Sequence, residues 1–444
     1  MTPEAHFSVL PRKKANWACD QTSLSTEVDI AVSSISPLQK DTMVKYICAP
    51  VVTAAVIVAG HVAASVAWDE LYHSYGWYVA IDVVYLVLAG QLVFAAFCLV
   101  RNQEAVWRLV LSRCAIVAAS LCLAFAVLDL YIIGFCYDTS GLGGGRCFTH
   151  NRWYDRFPQR NQLGYWERDL APYLKPRRPD RELVVAVVGD SWTWGQGVCG
   201  KERRYTDLLE AELRGNTATP VTVLNFGRAG ADSTDELLQV KDAANVQPDV
   251  VVIGYLANDI DRYAPMNLDL DLNRLLRPNE PSNWRRVSYL APTTNLLYWR
   301  MIAPQIYAEL SREYAKNVRK TYADPAVMAM HLNDVAMLIA EVRSMNARPV
   351  FAILPFPAMW QPIPGAADDP ARVRKLRNAV YGALTQKMGS LGVPVIEAQT
   401  IEDEMSPREF ALNPMDNHPC EAAHRRMAQV IAGEFIKQNL LQAN

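Results

Sequence analysis

The chain has no extended basic tract and no interleaving of aromatic with basic side chains. Its 44 Lys and Arg nearly balance 46 Asp and Glu, for a net charge of −2. That leaves no electrostatic footprint for nucleic acid. No His/Cys cluster has zinc-site spacing, and no glycine loop of phosphate-binding form is present, so structural zinc modules and the common nucleotide-binding loops are excluded. There is no internal repeat to suggest a solenoid or propeller.

What is present begins with apolar runs. The 444 residues are 51% hydrophobic, at the top of the globular range, and the excess is uneven. It lies in Tyr46–Trp68, Trp77–Val100 and Arg113–Cys136. Each is near the ~20 residues that cross a bilayer. The first run begins too late for a signal peptide and lacks a small-residue cleavage site, so three spans over 45–137 are expected to persist. Residues 1–44 are polar and aperiodic and read as a cytoplasmic disordered tail.

Orientation follows from basic residues. Lys40 and Lys45 precede the first span, the next loop carries Asp69 and Glu70, and the loop after that carries Arg101, Arg108 and Arg113. The positive-inside rule then places the N-terminus in the cytoplasm and everything after about Cys136 outside it. Trp68, Trp77 and Tyr78 mark the outer boundary. His61, Asp82 and Asp129 fall at similar depth within the spans, which suggests a polar cluster locking the bundle, with independent snorkelling as the alternative. Cys136, Cys147, Cys199 and Cys420 lie at or beyond the outer face, compatible with Cys136–Cys147 and Cys199–Cys420 bridges or with four free thiols.

Residues 138–180 read as a linker, glycine-rich at Gly141–Gly145, followed by a segment rich in Arg, Trp, Tyr and Pro that wraps the next domain. From 181 to 444, strands are predicted at 183–189, 221–226, 249–255, 349–355 and 393–397. Helices are predicted near 202–214, 233–245, 326–346, 371–390 and 419–440. Strand–helix alternation specifies a parallel sheet covered on both faces. The stretch 260–325, with Pro265, Pro278, Pro281 and Pro292, reads as a lid or specificity insertion made of short helices.

In such sheets, ligands bind beyond the carboxyl ends of the strands. The first strand, Leu183–Val188, ends on Gly189-Asp190-Ser191. The second leads into Asn225-Phe226-Gly227-Arg228-Ala229-Gly230 and the third into Asn258-Asp259, while Asp416-Asn417-His418-Pro419 opens the last helix. A serine hydroxyl needs a base to become a nucleophile. Residues two apart on an extended segment point the same way, and Pro419 biases His418 toward that geometry. So His418 can act as base to Ser191, with Asp416 orienting the imidazole. Oxyanion donors are the N–H of Ser191 and Gly230 and the amide of Asn258, with Gly227 competing for the glycine role. Ser191 is not set in Gly-x-Ser-x-Gly, which disfavours the nucleophile-elbow hydrolases. Trp192, Trp194 and Tyr255 flank these blocks, either as an aromatic wall for a sugar ring or acyl chain, or as core. His424 reads as a packing residue of the last helix and Asp232 as a helix cap.

These four blocks resemble those of the SGNH (GDSL) hydrolase superfamily, over about 181–444, with Ser191, Gly230, Asn258 and His418 as its namesake residues. Asn161-Gln162-Leu163-Gly164-Tyr165 resembles the lead-in of membrane-anchored bacterial members. Leu256 and Cys420 replace residues common in the family. The resemblance implies an α/β, flavodoxin-like three-layer parallel sheet, here preceded by three transmembrane helices, and acyl-ester hydrolysis with no metal or organic cofactor. The expected protein is a multi-pass inner-membrane serine esterase with a periplasmic catalytic domain. Its substrate would be an acyl ester of an envelope or secreted glycan, or a lipid. The alternatives are an acyltransferase, which would need a membrane partner protein, and a non-catalytic glycan-binding scaffold.

Overall fold

The computed structural model describes residues 37–66, 75–101, 106–137, 147–174, 182–217, 219–263, 290–362, 369–414 and 416–441. The glycine-rich linker and the first 36 residues lie outside them. Three long helices come first: α1 (Pro37–Val66), α2 (Tyr75–Arg101) and α3 (Val106–Phe135). Each is long enough to cross ~30 Å of hydrocarbon at 1.5 Å per residue. Val52, Phe94, Phe97 and Leu121 are more than half exposed on them, as side chains meant for lipid would be. Two boundaries differ from expectation. The tail's last residues, from Pro37, are already helical. The third helix starts at Val106 rather than Arg113, so Arg108 and Arg113 belong to its first turns, where their long stems can reach back to the interface.

The chain forms two compact units. One contains residues up to Val58 and Val84–Leu123, and within it Thr53 Oγ1 donates to Gln91 Oε1 at 2.9 Å. The other contains 59–83 and 124–444. In this second unit, a short helix α4 (Phe148–Arg156) and the segment through Leu170 bury Trp153, Tyr165 and Leu170 completely.

The sheet of this second unit has five parallel strands in the order β2-β1-β3-β4-β5: β1 Leu183–Gly189, β2 Val221–Asn225, β3 Val250–Tyr255, β4 Arg348–Ile353 and β5 Val395–Ile396. The strands are Val- and Ile-rich and β1–β3 are buried throughout, as strands covered on both faces must be. Beginning at β1 and moving first one way and then the other sends the crossovers to opposite faces. Helices α6 (Tyr205–Asn216) and α12 (Glu421–Lys437) pack together. Helices α7 (Ser233–Ala243), α9 (Pro325–Ser344) and α10 (Pro370–Ser390) form the other layer. Helix α9 is long and apolar enough to span a membrane by composition. Its Val335, Leu338, Ile339 and Val342 instead fill the core of this domain.

β5 is shorter than predicted because Pro394 cannot donate to a ladder. The expected insertion of short helices is corrected from Pro292 onward by one 31-residue helix, α8 (Pro292–Tyr322). Pro292 is not a breaker but stands at the first helical position, where no N–H is needed. Residues 264–289 of that insertion lie outside the described residues.

Candidate active site

The register sets the stage. Gly189 at the end of β1 pairs with Gly254 near the end of β3, and Val187 pairs with Asn225 at the end of β2. The three following loops therefore open at one level. Gly189 has φ +155°, and a Cβ there would lie 2.3 Å from Thr193 Oγ1 and 2.9 Å from the Gly254 carbonyl. Only glycine permits this close turn. Asp190 then caps the short helix α5 (Ser191–Trp194), its Oδ1 accepting the Trp192 N–H at 2.9 Å. Ser191 is thus the first residue of a helix, where the N–H has no intrahelical acceptor.

The histidine comes from the opposite end of the domain sequence. After a helical turn α11 (Pro407–Phe410), strands β6 (Ala411–Asn413) and β7 (Asp416–Pro419) pair antiparallel. On β7, Asp416 Oδ1 accepts the backbone N–H of His418 at 3.0 Å and also meets its ring Nδ1. Asp416 is buried. The other ring nitrogen, Nε2, lies 2.9 Å from Ser191 Oγ. The extended two-residue spacing thus brings carboxylate, imidazole and hydroxyl into one line.

The remaining expected site residues divide. Gly230 is exposed, with φ +76° and open space around it. Gly227 is buried, its N–H donates to Asn225 Oδ1 at 2.8 Å, and a Cβ would come within 2.5 Å of the Trp194 nitrogen. Gly227 is a packing requirement; Gly230 is the glycine on the open side. Asn258 Nδ2 donates one hydrogen to Asp190 Oδ2 at 3.1 Å, leaving its second hydrogen for another acceptor.

The aromatic wall is not there as drawn. Tyr255 is fully buried, bonded to Tyr322 Oη at 2.5 Å and His331 Nε2 at 2.9 Å. Trp194 is packed among Trp153, Trp166 and Val198. Large aromatic rings at strand ends satisfy the core first. Trp192 is buried too, its Nε1 donating to the Pro355 carbonyl at 3.1 Å, but its ring lies 4.7 Å from both His418 and Phe356 and so backs the imidazole. His424 packs as expected. It is fully buried, stacks on Tyr205 and accepts that residue's N–H at 3.2 Å, and burial holds its pKa down to about 3, so it stays neutral. Asp232 caps α7 with reciprocal bonds to Asp235. Neither suggested disulfide forms: all four cysteines are free, and Cys420 Sγ donates instead to the Glu409 carbonyl at 3.2 Å.

Asp190 carries more than the sequence suggested. Its carboxylate accepts from Trp192 N–H, Asn258 Nδ2 and, at 3.3 Å, Ser191 Oγ. Two further carboxyls, Glu236 and Asp259, are fully buried within electrostatic reach of it. Burial, reinforced by their mutual repulsion, pushes both well above the usual carboxylate range. Glu236 has no hydrogen-bond partner on either oxygen among the described residues, and Asp259 Oδ2 accepts only the Leu256 N–H. Three acids in one dry space do not all ionise. Burial also raises Asp190, against the bonds from the Trp192 N–H, Asn258 and Ser191. Nothing in the spacing announces this, because Asn258 and Glu236 reach Asp190 only through the fold.

Fold and site together define an α/β hydrolytic enzyme with serine, histidine and carboxylate at the carboxyl edge of a flavodoxin-like sheet. The chain belongs to the GDSL-like lipase/acylhydrolase family, whose family model matches residues 187–426, just over half its length. It is therefore an ester hydrolase of the SGNH/GDSL type. Among solved structures it is similar to the lipase/acylhydrolase from Enterococcus faecalis, at 15% identity over 58% of this chain and 96% of that one, with a TM-score of 0.33. It is also similar to a G-D-S-L lipolytic family member from Veillonella parvula, at 12% identity over 57% and 97%, TM-score 0.33. A third is the lipase Lip_vut3 from a goat rumen metagenome, at 13% identity over 57% and 97%, TM-score 0.35. No curated protein matches the chain.

Proposed function

We propose that this chain is a membrane-anchored serine esterase whose catalytic domain lies on the extracytoplasmic side, acting through Ser191, His418 and Asp416. The observation that carries the reading is the 2.9 Å approach of His418 Nε2 to Ser191 Oγ, with Asp416 on the other side of the ring. Ser191 Oγ attacks the ester carbonyl as His418 takes its proton. Charge moves to the carbonyl oxygen, where the Ser191 and Gly230 N–H groups and the second hydrogen of the Asn258 amide receive it. Each such donor accounts for about 3 kcal/mol of barrier in comparable sites. His418 then protonates the departing alcohol, and water repeats the sequence to release the acid. Asp416 holds the imidazole in the tautomer that leaves Nε2 able to accept a proton, and stabilises the imidazolium once formed.

The orientation rests on the distribution of Lys40, Lys45, Arg101, Arg108 and Arg113 against Asp69 and Glu70. The substrate class is an acyl ester on an envelope or secreted glycan, or a lipid. Ser191→Ala and His418→Ala are each expected to lower hydrolysis of a short-chain aryl ester by ~10⁴-fold or more in the detergent-solubilised full chain. A fluorophosphonate probe should label the native serine and not the alanine variant. Undiminished turnover in either variant would overturn the assignment.

A further inference from the structure

The three ionisable residues in the spans do not form the closed cluster expected of them. His61 Nδ1 bonds the Leu290 carbonyl at 2.8 Å. Asp129 Oδ1 accepts the Thr293 N–H at 2.8 Å and also its hydroxyl. Two of the three thus hold the segment that starts α8, a part of the catalytic domain's sequence. Asp82, buried near Asp129, has neither oxygen bonded among the described residues.

Asp129 lies six residues inside the end of α3, ~9 Å along its axis. Thr293 shares that depth. Three residues on, Leu296 packs on the cluster of Tyr78, Ile132, Ile133 and Phe148. From Thr293, bonded to Asp129, to Leu296, packed on the cluster that holds Ile132 and Ile133, the start of α8 thus advances toward the outer end of α3. Leu297, 54% exposed, is then ~6 Å above Thr293 and still below the end of α3. Met301, 73% exposed, reaches the boundary.

We propose that Leu290–Met301 is a membrane-embedded element, with its exposed Leu297 and Met301 side chains occupied by lipid of the leaflet on the catalytic side and Arg300, exposed between them, reaching out to the headgroups. The polar bonds are those such an element requires. Irregular backbone at membrane depth persists only where its N–H and C=O groups are satisfied by protein. Here the Leu290 carbonyl is bonded by His61, the Thr293 N–H by Asp129, and the Ala291 N–H by Thr294 Oγ1 at 3.0 Å. An aspartate beside the first turn of α8 also complements that helix's positive end. The occupant is lipid because the outer turns of α3, level with the Asp129–Thr293 bond, likewise expose Leu128, Tyr131 and Phe135.

The inference rests on reading α1–α3 as membrane spans, and the test separates the two. An environment-sensitive fluorescent amino acid is placed singly at Leu297, at Leu121 on α3 and at Leu238, exposed on α7, in the full chain in liposomes. The Leu297 and Leu121 probes are expected to lose emission to lipids brominated on their acyl chains and to be shielded from aqueous iodide, with Leu238 the reverse. An iodide-quenched Leu297 probe beside a shielded Leu121 probe overturns the membrane-embedded element alone. An iodide-quenched Leu121 probe overturns the span reading beneath it. In the Leu297-labelled chain, Asp129→Leu should open the probe to iodide, whereas Asp129→Asn, which keeps an acceptor oxygen, should not. Equal shielding in both variants removes Asp129 from the clamp.

Discussion

At the scale of single residues, the chemistry follows the carboxylates. Asp416 meets both the backbone N–H and the ring Nδ1 of His418 through one oxygen, and in the proposed mechanism it fixes where the ring is as well as which nitrogen carries the proton. Asp416→Asn is expected to lower kcat by ~10⁴-fold while leaving the unfolding midpoint little changed, because an amide preserves shape but favours the wrong tautomer. Stopped assays on an aryl ester check the first part and circular dichroism the second. Glu402 gives a pH signature. Burial pushes its carboxyl up to about 7, against bonds from the Phe356 N–H at 2.7 Å, Tyr381 and Arg377. The folded chain therefore holds a proton that the unfolded chain releases above its ordinary value of 4.5. Stability from this group is present in acid and declines as pH rises toward and through about 7, by at most about 1.4 kcal/mol per pH unit. Denaturant titrations at about pH 6 and about pH 8 should show native protein losing more stability over that interval than Glu402→Gln. Equal losses would mean that Glu402 is ionised throughout. Ser191, Asp416 and His418 could be picked out from sequence because strand ends and two-residue spacing are local properties. Asp190 was visible as a letter, but its tie to Asn258, 68 positions away, exists only after folding.

At the scale of elements, the turn after β2 separates two glycines of similar appearance. A methyl at Gly227 would press on the backbone of α5, which carries the serine. Gly227→Ala should therefore reduce kcat/KM by ~10²-fold through misplacement of Ser191. Gly230→Ala meets open space and only the strain of a positive φ, about 1–2 kcal/mol. A larger loss of activity at 230 than at 227, measured on the same ester, would reverse these roles. All five strands and their covering helices were readable from composition and period, since buried parallel strands have little choice of residue. α8 was not, because a proline that starts a helix and a proline that ends one are the same letter. The aromatic residues beside the blocks misled for a related reason: Tyr255 and Trp194 complete the core behind the site rather than facing a ligand.

At the scale of the whole molecule, three helices of 27 to 30 residues precede a family-typical hydrolase domain. The full chain is expected to sediment with membranes, to resist alkaline carbonate extraction and to need detergent for release. Recovery in the carbonate-soluble fraction would exclude integral spans. Hydropathy revealed these helices plainly because lipid tolerates few side chains. It did not reveal that His61 and Asp129 serve the catalytic domain's own chain, since their partners are the Leu290 carbonyl and Thr293, far away in sequence.

The pairing of Gly189 with Gly254 has a practical corollary. At this pair neither strand offers a side chain, and the Thr193 and Tyr205 hydroxyls, bonded to each other at 2.8 Å, close the space above Gly254. The floor under Ser191 is thus backbone and a locked hydroxyl pair, with no substituent to exchange. Retuning the enzyme toward longer or shorter acyl groups must start from the rim, at exposed Ala229 and Gly230 and at the Trp192–Phe356 edge. Libraries aimed at the strand ends would mainly return misfolded protein.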